Sequence, residues 1–218
     1  MSSVYAVILD LDGVLWSSNA AHARAYREAL APLGIPFGDY SAVAGRRTAD
    51  VMRALLAEHG IEPTDDLLQR VVSAKQLHAR AELAADPPLV NGCRESLEAL
   101  RRRFRLALAS SSSPENVGSF LAASRGRSLF DVVIDGSQVA LAKPDPEIYR
   151  LALQRLGLPP DGARVVEDSL DGVAAGAAAG IRAFGIVGTC TGEQLREAGA
   201  SRSFQSLPEA AEYIIAHH

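Results

Sequence analysis

The sequence predicts an α/β fold: a doubly wound parallel sheet with a block of helices inserted after its first strand. Three observations carry this. From about residue 93 onward, strand-length apolar runs alternate with helical periods, the pattern of successive βαβ units. The first apolar run, "SVYAVILD", is nearly unbroken, as suits a central strand buried on both faces. Between these regions, residues 17–88 show helical periods and no strand pattern.

The elements follow in order. The first strand stops at Asp10, Asp12 and Gly13. Three helical segments come next, "NAAHARAYREALAPLG", "RTADVMRALLAEHG" and "PTDDLLQRVVSAKQLHARAEL", with Gly or Pro at the breaks. In "EHGIEPTDD" the glycine stops one helix, and a Thr or Asp caps the next. "AADPPLVNG" reads as a linker. Then "RESLEALRRR" is a helix, "FRLALASS" a strand, "PENVGSFLAAS" a helix and "FDVVIDG" a strand. "DPEIYRLALQRLG" is a helix and "ARVVED" a strand. "SLDGVAAGAAAG" is a helix whose small residues suit close packing on a sheet, and "IRAFGIV" is the last clear strand. The expected domains are therefore a discontinuous core, residues 1–16 and 89–218, and an all-helical unit, residues 17–88.

Composition bounds the function. The chain has 218 residues, 48% hydrophobic and 22% charged, the make-up of a soluble globular protein. A net charge of −4 gives no electrostatic reason for a nucleic-acid or anionic-membrane partner. The one basic run, "RRRFR" at 101–105, falls at a helix C-terminus, where cations complement the dipole. Neither a signal peptide nor a membrane-length apolar run is evident. Cys93 and Cys190 are far apart with no CxxC spacing, which suggests reduced thiols in a cytoplasmic protein. Of the 22 basic residues only Lys75 and Lys143 are lysines. A monomer or small homo-oligomer is expected.

Ligands of open parallel sheets bind outside the carboxyl ends of the strands. The first strand ends in Asp10 and Asp12, the second in Ser110 and Ser111, and the fourth in Glu167 and Asp168. The third ends in Asp135, with Lys143 a little further on in "LAKPDPEIY". Charged carboxylates repel one another by about 4 kcal/mol per pair at 4 Å and an effective dielectric of 20. A phosphate ester arriving there would add further negative charge. Such a cluster calls for a dication, and hard oxygen donors favour Mg²⁺. Each residue has a plainer reading as well. Asp10, Asp12, Glu167, Asp168 and Ser110 suit helix caps, and Lys143 suits a solvated surface. Asp135 and Asp171 read as capping or solvated acids.

The ordered set resembles the haloacid dehalogenase superfamily of phosphotransferases. "DLDGV" matches its first motif, Ser110 its second, Lys143 in "KPDPEIY" its third, and "VVEDSLDGVAAGAAAGI" its fourth. The resemblance covers nearly the whole chain and is closest to the branch of phosphoglycolate phosphatase, small sugar-phosphate phosphatases and β-phosphoglucomutase. It implies a Rossmann-like core and a mobile helical cap. It also implies a Mg²⁺-dependent phosphatase that forms an aspartyl-phosphate on Asp10. In that scheme Asp12 gives its backbone carbonyl to the metal, and its side chain serves as acid and base. Ser110, Ser111 and Lys143 hold the phosphoryl group, and Asp10, Asp12, Glu167 and Asp168 hold the metal. At an ordinary carboxylate pKa Asp10 is ionised. Asp12 is then protonated only about once per thousand molecules at pH 7. Either the site raises its pKa or the proton comes with the substrate.

The insert should choose the substrate, a small phosphorylated metabolite. By resemblance "AGRRTAD" is a specificity loop, with Arg47 the expected leaving-group contact and Arg46 its rival. Lys75 and His22 fall where relatives place a cap lysine and a hinge histidine; their plainer reading is solvation or capping. Two positions depart from the family pattern: "SSNA" at 17–20, where acids are common, and Asn91-Gly92, where Pro-Gly is usual. A β-phosphoglucomutase-like isomerase is the alternative, followed by a non-catalytic phosphometabolite-binding protein. A dehalogenase has no use for an acid at Asp12.

Overall fold

The structure is a computed structural model that describes residues 5–85 and 88–217. Residues 86 and 87 of the expected linker and residues 1–4 at the chain's start lie outside the described residues. Six strands form one parallel sheet: β1 (Ala6–Leu9), β2 (Arg105–Ala109), β3 (Val132–Ile134), β4 (Ala163–Glu167), β5 (Arg182–Ile186) and β6 (Arg202–Phe204). Their order is β3-β2-β1-β4-β5-β6. The direction of winding therefore reverses at β1, and the crevice at this switch point lies between the carboxyl ends of β1, β2 and β4. In register, Leu9 pairs with Leu108 on one side and Val166 on the other. Asp10, Ser110 and Glu167 consequently emerge together.

β1 and β4 are buried throughout: β1 is wholly apolar, and β4 buries Val165 and Val166 between Arg164 and Glu167. Two apolar layers cover the sheet. One is built from α4 (Cys93–Arg101), α5 (Pro114–Ala123) and α9 (Leu207–His217), with Leu97, Phe120 and Ile214 at its centre. The other comes from α6 (Glu147–Leu156), α7 (Leu170–Ala178) and α8 (Gly192–Glu197), with Tyr149, Val173 and Leu195. The small residues of α7 bring helix and sheet close: a Cβ at Gly176 would already touch Val165 and Ala183. The edge strand β6 and the helices beside it lie past the last strand that the sequence pattern marks. α4 ends at Arg101, as the basic run suggests, and Arg105 opens β2.

Between β1 and α4 come α1 (Asn19–Leu30), α2 (Thr48–Glu58) and α3 (Asp65–Ala85). They share an apolar cluster of Tyr26, Leu30, Ile35, Met52, Leu56 and Val71, while Ala21 and Ala25 of α1 and Ala79 and Leu83 of α3 pack into the first sheet layer. The chain leaves and returns by adjacent connections. Trp16 bridges to Leu89, Ser17 N–H donates to the Pro88 carbonyl at 2.7 Å, and Val90 N–H donates to Leu15 at 3.1 Å. Cys93 and Cys190 are buried and free. Among the described residues no helix is long and apolar enough to cross a membrane.

Candidate active site

The site forms where the strand ends meet. Lys143, fully buried by its side chain, donates to Asp10 Oδ1 and Glu167 Oε1, both at 2.6 Å, and to the Ala109 carbonyl at 3.3 Å. Burial opposes its charge, but Asp10 and Glu167 raise its pKa well above the ordinary lysine value. Glu167 is fully engaged. Tyr149 Oη donates to its Oε1 at 2.8 Å, and the Asp168 and Ser169 amides and the Ser169 hydroxyl donate to Oε2. Burial pushes this carboxyl up, yet Lys143 and these hydrogen bonds bring it below the usual range. Asp10 is raised, first by burial and then by Glu167, Asp12 and Asp168, against the pull of Lys143.

Asp168 is pushed up to about 7 by burial and by Glu167, against hydrogen bonds from Thr189 and Asn19. Asp10, Glu167 and Asp168 each offer a carboxylate oxygen, and these oxygens lie within 4.8 Å of one another. Carboxylates outnumber the single ammonium, and the donors are all hard oxygens, so the group fits a divalent cation such as Mg²⁺. Asp10 and Asp168 have more lone-pair capacity to spare than Glu167. Gly13, at φ +84°, closes the wall: a Cβ there would lie 1.8 Å from Asp168 Oδ2.

Asp12 points away from that group. Ser18 Oγ and the His22 ring bond its Oδ1, the ring at 3.0 Å, and Ser112 Oγ donates to Oδ2 at 2.5 Å. Burial would raise its pKa, but His22 and these hydrogen bonds hold it well below the carboxylate range. Of the two alternatives for its proton, these donors favour the one in which the proton comes with the substrate. Lys75 Nζ, with only protons to give, faces His22 Nδ1 at 3.0 Å. The neutral ring then carries its proton on Nε2, aimed at Asp12. His22 is lowered by burial and by Lys75, and burial lowers Lys75 to about 8.

Ser110 is fully buried, and its Oγ accepts from Ser112 N–H at 3.0 Å. Ser111, Ser112 and Ser113 supply the wall of a small cavity, about 40 Å³, that also meets Asp10, Asp12, His22, Tyr40, Arg46 and Lys75. Arg47 is turned elsewhere. It opens α2 from the N-cap position, and its guanidinium donates to the carbonyls of Gly136 (3.2 Å), Val139 (2.8 Å) and Ala140 (3.0 Å). Of the two arginines Arg46 lines the cavity, 3.9 Å from the Asp171 carboxylate. Asp135 caps a short turn by accepting from Ser137 N–H at 2.9 Å.

Sequence reasoning missed several participants. Tyr149 stands in the quoted "KPDPEIY" and was readable from its proximity to Lys143. Tyr40 stacks on His22, with centroids 6.1 Å apart and planes at 21°. Its hydroxyl is raised well above the usual phenol by burial and then by charges that include Asp12, Asp168 and Asp10. Tyr40 also borders a larger neighbouring cavity of about 680 Å³, beside Asn19, Thr189 and Ser206. No local pattern marks Tyr40 or Thr189, and Asn19 stands out only as part of the departing "SSNA" stretch.

The profile of the haloacid dehalogenase-like hydrolases matches residues 4–180. A phosphorylated carbohydrates phosphatase of Thermotoga maritima is 34% identical over 200 residues, 89% of this chain and 91% of the relative. A phosphoglycolate phosphatase of Nitrosospira multiformis is 30% identical over 97% of this chain and 96% of its own. The structure of CbbY from Rhodobacter sphaeroides in complex with xylulose-(1,5)-bisphosphate superposes with a TM-score of 0.81 at 31% identity, covering 94% of this chain and 96% of that one. With its six-stranded parallel sheet, its strand-end acids around one buried lysine and a profile match over most of its length, the chain belongs to the haloacid dehalogenase-like hydrolases.

Proposed function

We propose that the protein is a Mg²⁺-dependent phosphatase of small phosphorylated metabolites that works through an aspartyl-phosphate on Asp10. The observation that carries this reading is Asp10 itself, 2.6 Å from the Lys143 ammonium and within one oxygen cluster with Asp168 and Glu167. Mg²⁺ bound there would offset the surplus negative charge and leave Asp10 ionised as an incoming ester adds more. Asp10 attacks phosphorus, the bond to the leaving oxygen breaks, and that oxygen takes a proton from Asp12. Because Asp12 rests ionised, a monoanionic ester, whose second ionisation lies near pH 6, first passes its phosphoryl proton to Asp12, which then hands it to the leaving oxygen. Water then attacks the phosphoryl group and gives a proton to Asp12, phosphate departs from Asp10, and Asp12 releases the proton to solvent and returns to its ionised state. Lys143, the Ser110 hydroxyl and the backbone N–H groups of the Ser111 loop hold the phosphoryl oxygens.

Residues 17–88 serve as the cap. Its own apolar cluster and paired connections suit a unit that moves as a body against a seam of small residues, where Ala21, Ala25 and Ala79 join Leu83 in the core layer. The cavity beside Asp10 has room for only a few waters, whereas ligand sites run to about 300–1,000 Å³, so substrate needs the cap displaced. Arg46, Lys75 and His22 then face the leaving group. The relatives' names point to sugar phosphates or phosphoglycolate as the substrate class.

The experiment is phosphate release from sugar phosphates, phosphoglycolate and p-nitrophenyl phosphate, with Mg²⁺ and with EDTA. We expect Mg²⁺-dependent release that Asp10→Asn abolishes while the fold persists. Full activity in that variant would overturn the mechanism. Conversion of glucose 1-phosphate to glucose 6-phosphate without free phosphate would replace hydrolysis by transfer to a sugar hydroxyl.

A further inference from the structure

We propose that Asn19 and Thr189 are positioning residues for Asp168: they hold it as a one-oxygen ligand for the cation and tie cation binding to the first helix of the insert. The inference rests on the reading of Asp168 as a cation ligand. Asn19 Nδ2 donates to Asp168 Oδ2 at 3.2 Å, Thr189 Oγ1 donates to the same oxygen, and Asn19 Nδ2 also donates to Thr189 Oγ1.

The protons balance in only one way. The two amide protons of Asn19 serve Asp168 and Thr189, so the one hydroxyl proton of Thr189 is committed to Asp168. The opposite amide orientation would set an oxygen against the carboxylate. Oδ2 is thereby occupied twice, while Oδ1 accepts from no described residue and stays free for a cation. Gly13 packs against the same carboxylate and limits its rotation.

Neither residue has a competing structural task. Asn19 is the first residue of α1, whose N-cap, Ser18, makes no capping bond with its side chain. Thr189 lies beyond the end of β5, and both residues are half-buried. Asn19 belongs to the insert, whereas Thr189 and Asp168 belong to the sheet, 170 and 149 positions further along the chain. A cation that favours this Asp168 geometry therefore favours the observed placement of α1, and the converse holds by linkage.

The test uses the full chain stripped with EDTA and titrated with Mn²⁺, whose free ion is read by electron paramagnetic resonance. Hydrogen-bond partners of metal ligands commonly set affinity by about 10- to 100-fold. Asn19→Ala and Thr189→Val should raise the Mn²⁺ Kd about tenfold or more, and Thr189→Ser should restore it to within about twofold of wild type. Saturating Mg²⁺ should return kcat in Asn19→Ala, because the lesion is in binding. Wild-type Mn²⁺ affinity in folded Asn19→Ala and Thr189→Val would overturn the inference alone, as would Thr189→Ser binding as poorly as Thr189→Val. Should Thr189→Val not fold, Asn19→Ala decides by itself. A wild-type chain that binds neither Mn²⁺ nor Mg²⁺ would overturn the metal reading together with this one.

Discussion

Lys143 is the residue on which the site's charge balance turns. Its ammonium lies between two buried carboxylates, and removing one partner of a buried ion group typically costs about 3–5 kcal/mol because the others are left uncompensated. Lys143→Met should lower unfolding free energy by about that amount in urea titrations. Tyr149→Phe removes a single hydrogen bond to a charged group and should cost about 1.5–3 kcal/mol. Equal losses would mean that the lysine is not the keystone. Lys75 behaves differently. Burial depresses its folded pKa to about 8 against an ordinary 10.5, so the unfolded chain binds the proton more tightly. The resulting penalty is complete below pH 8 and is relieved as pH rises toward 10.5. Between pH 7 and 9.5 the wild type should gain about 2 kcal/mol of stability relative to Lys75→Met. A stability difference that does not change with pH would show that Lys75 is not depressed. At this scale the sequence was a good guide to charged residues and a poor one to neutral ones. Asp10, Glu167 and Asp168 declared themselves by standing at strand ends, and Lys143 by its place in "KPDPEIY". Tyr40 and Thr189 are neutral residues in segments without a pattern, and Ser18 and Asn19 lie in the "SSNA" stretch that departs from the family pattern without showing a partner.

At the scale of elements, legibility followed burial and length. β1 and β2 are buried nearly throughout and read directly from their apolar runs, and β4 reads from its Val165–Val166 pair followed by acid. β6 has three residues, one of them exposed at the sheet edge, and no run that short is distinctive. The arginine pair shows another limit. Arg46 and Arg47 are neighbours in sequence, and the start of α2 sends one to the cavity and the other to the β3–α6 loop. Arg47 grips three carbonyls of that loop, and the Glu147 carboxylate accepts from the Ala140 and Leu141 amides, at 2.9 and 2.6 Å, on the same segment. Arg47→Ala should therefore loosen both sides of the contact. Amide hydrogen exchange should accelerate at residues 136–141 and 44–48 while β1 and β4 stay protected. Unchanged exchange at both segments would mean that the insert is held by other contacts.

Over the whole molecule, the two lysines have a consequence outside catalysis. Both are buried, at 5% and 3% exposure, and the chain has no third. The folded surface therefore presents no ε-amine, and the permanent positive charge of its side chains there is guanidinium, which acylating reagents spare. An amine-reactive ester applied to the native protein should give a single adduct, at the α-amine, by intact mass spectrometry. Any slower second adduct on Lys75 would count excursions in which the helical unit lifts from the sheet. Rapid labelling of both lysines would contradict the packing described. The scarcity of lysine thus makes acylation a clock for domain opening, and one that needs no engineered probe.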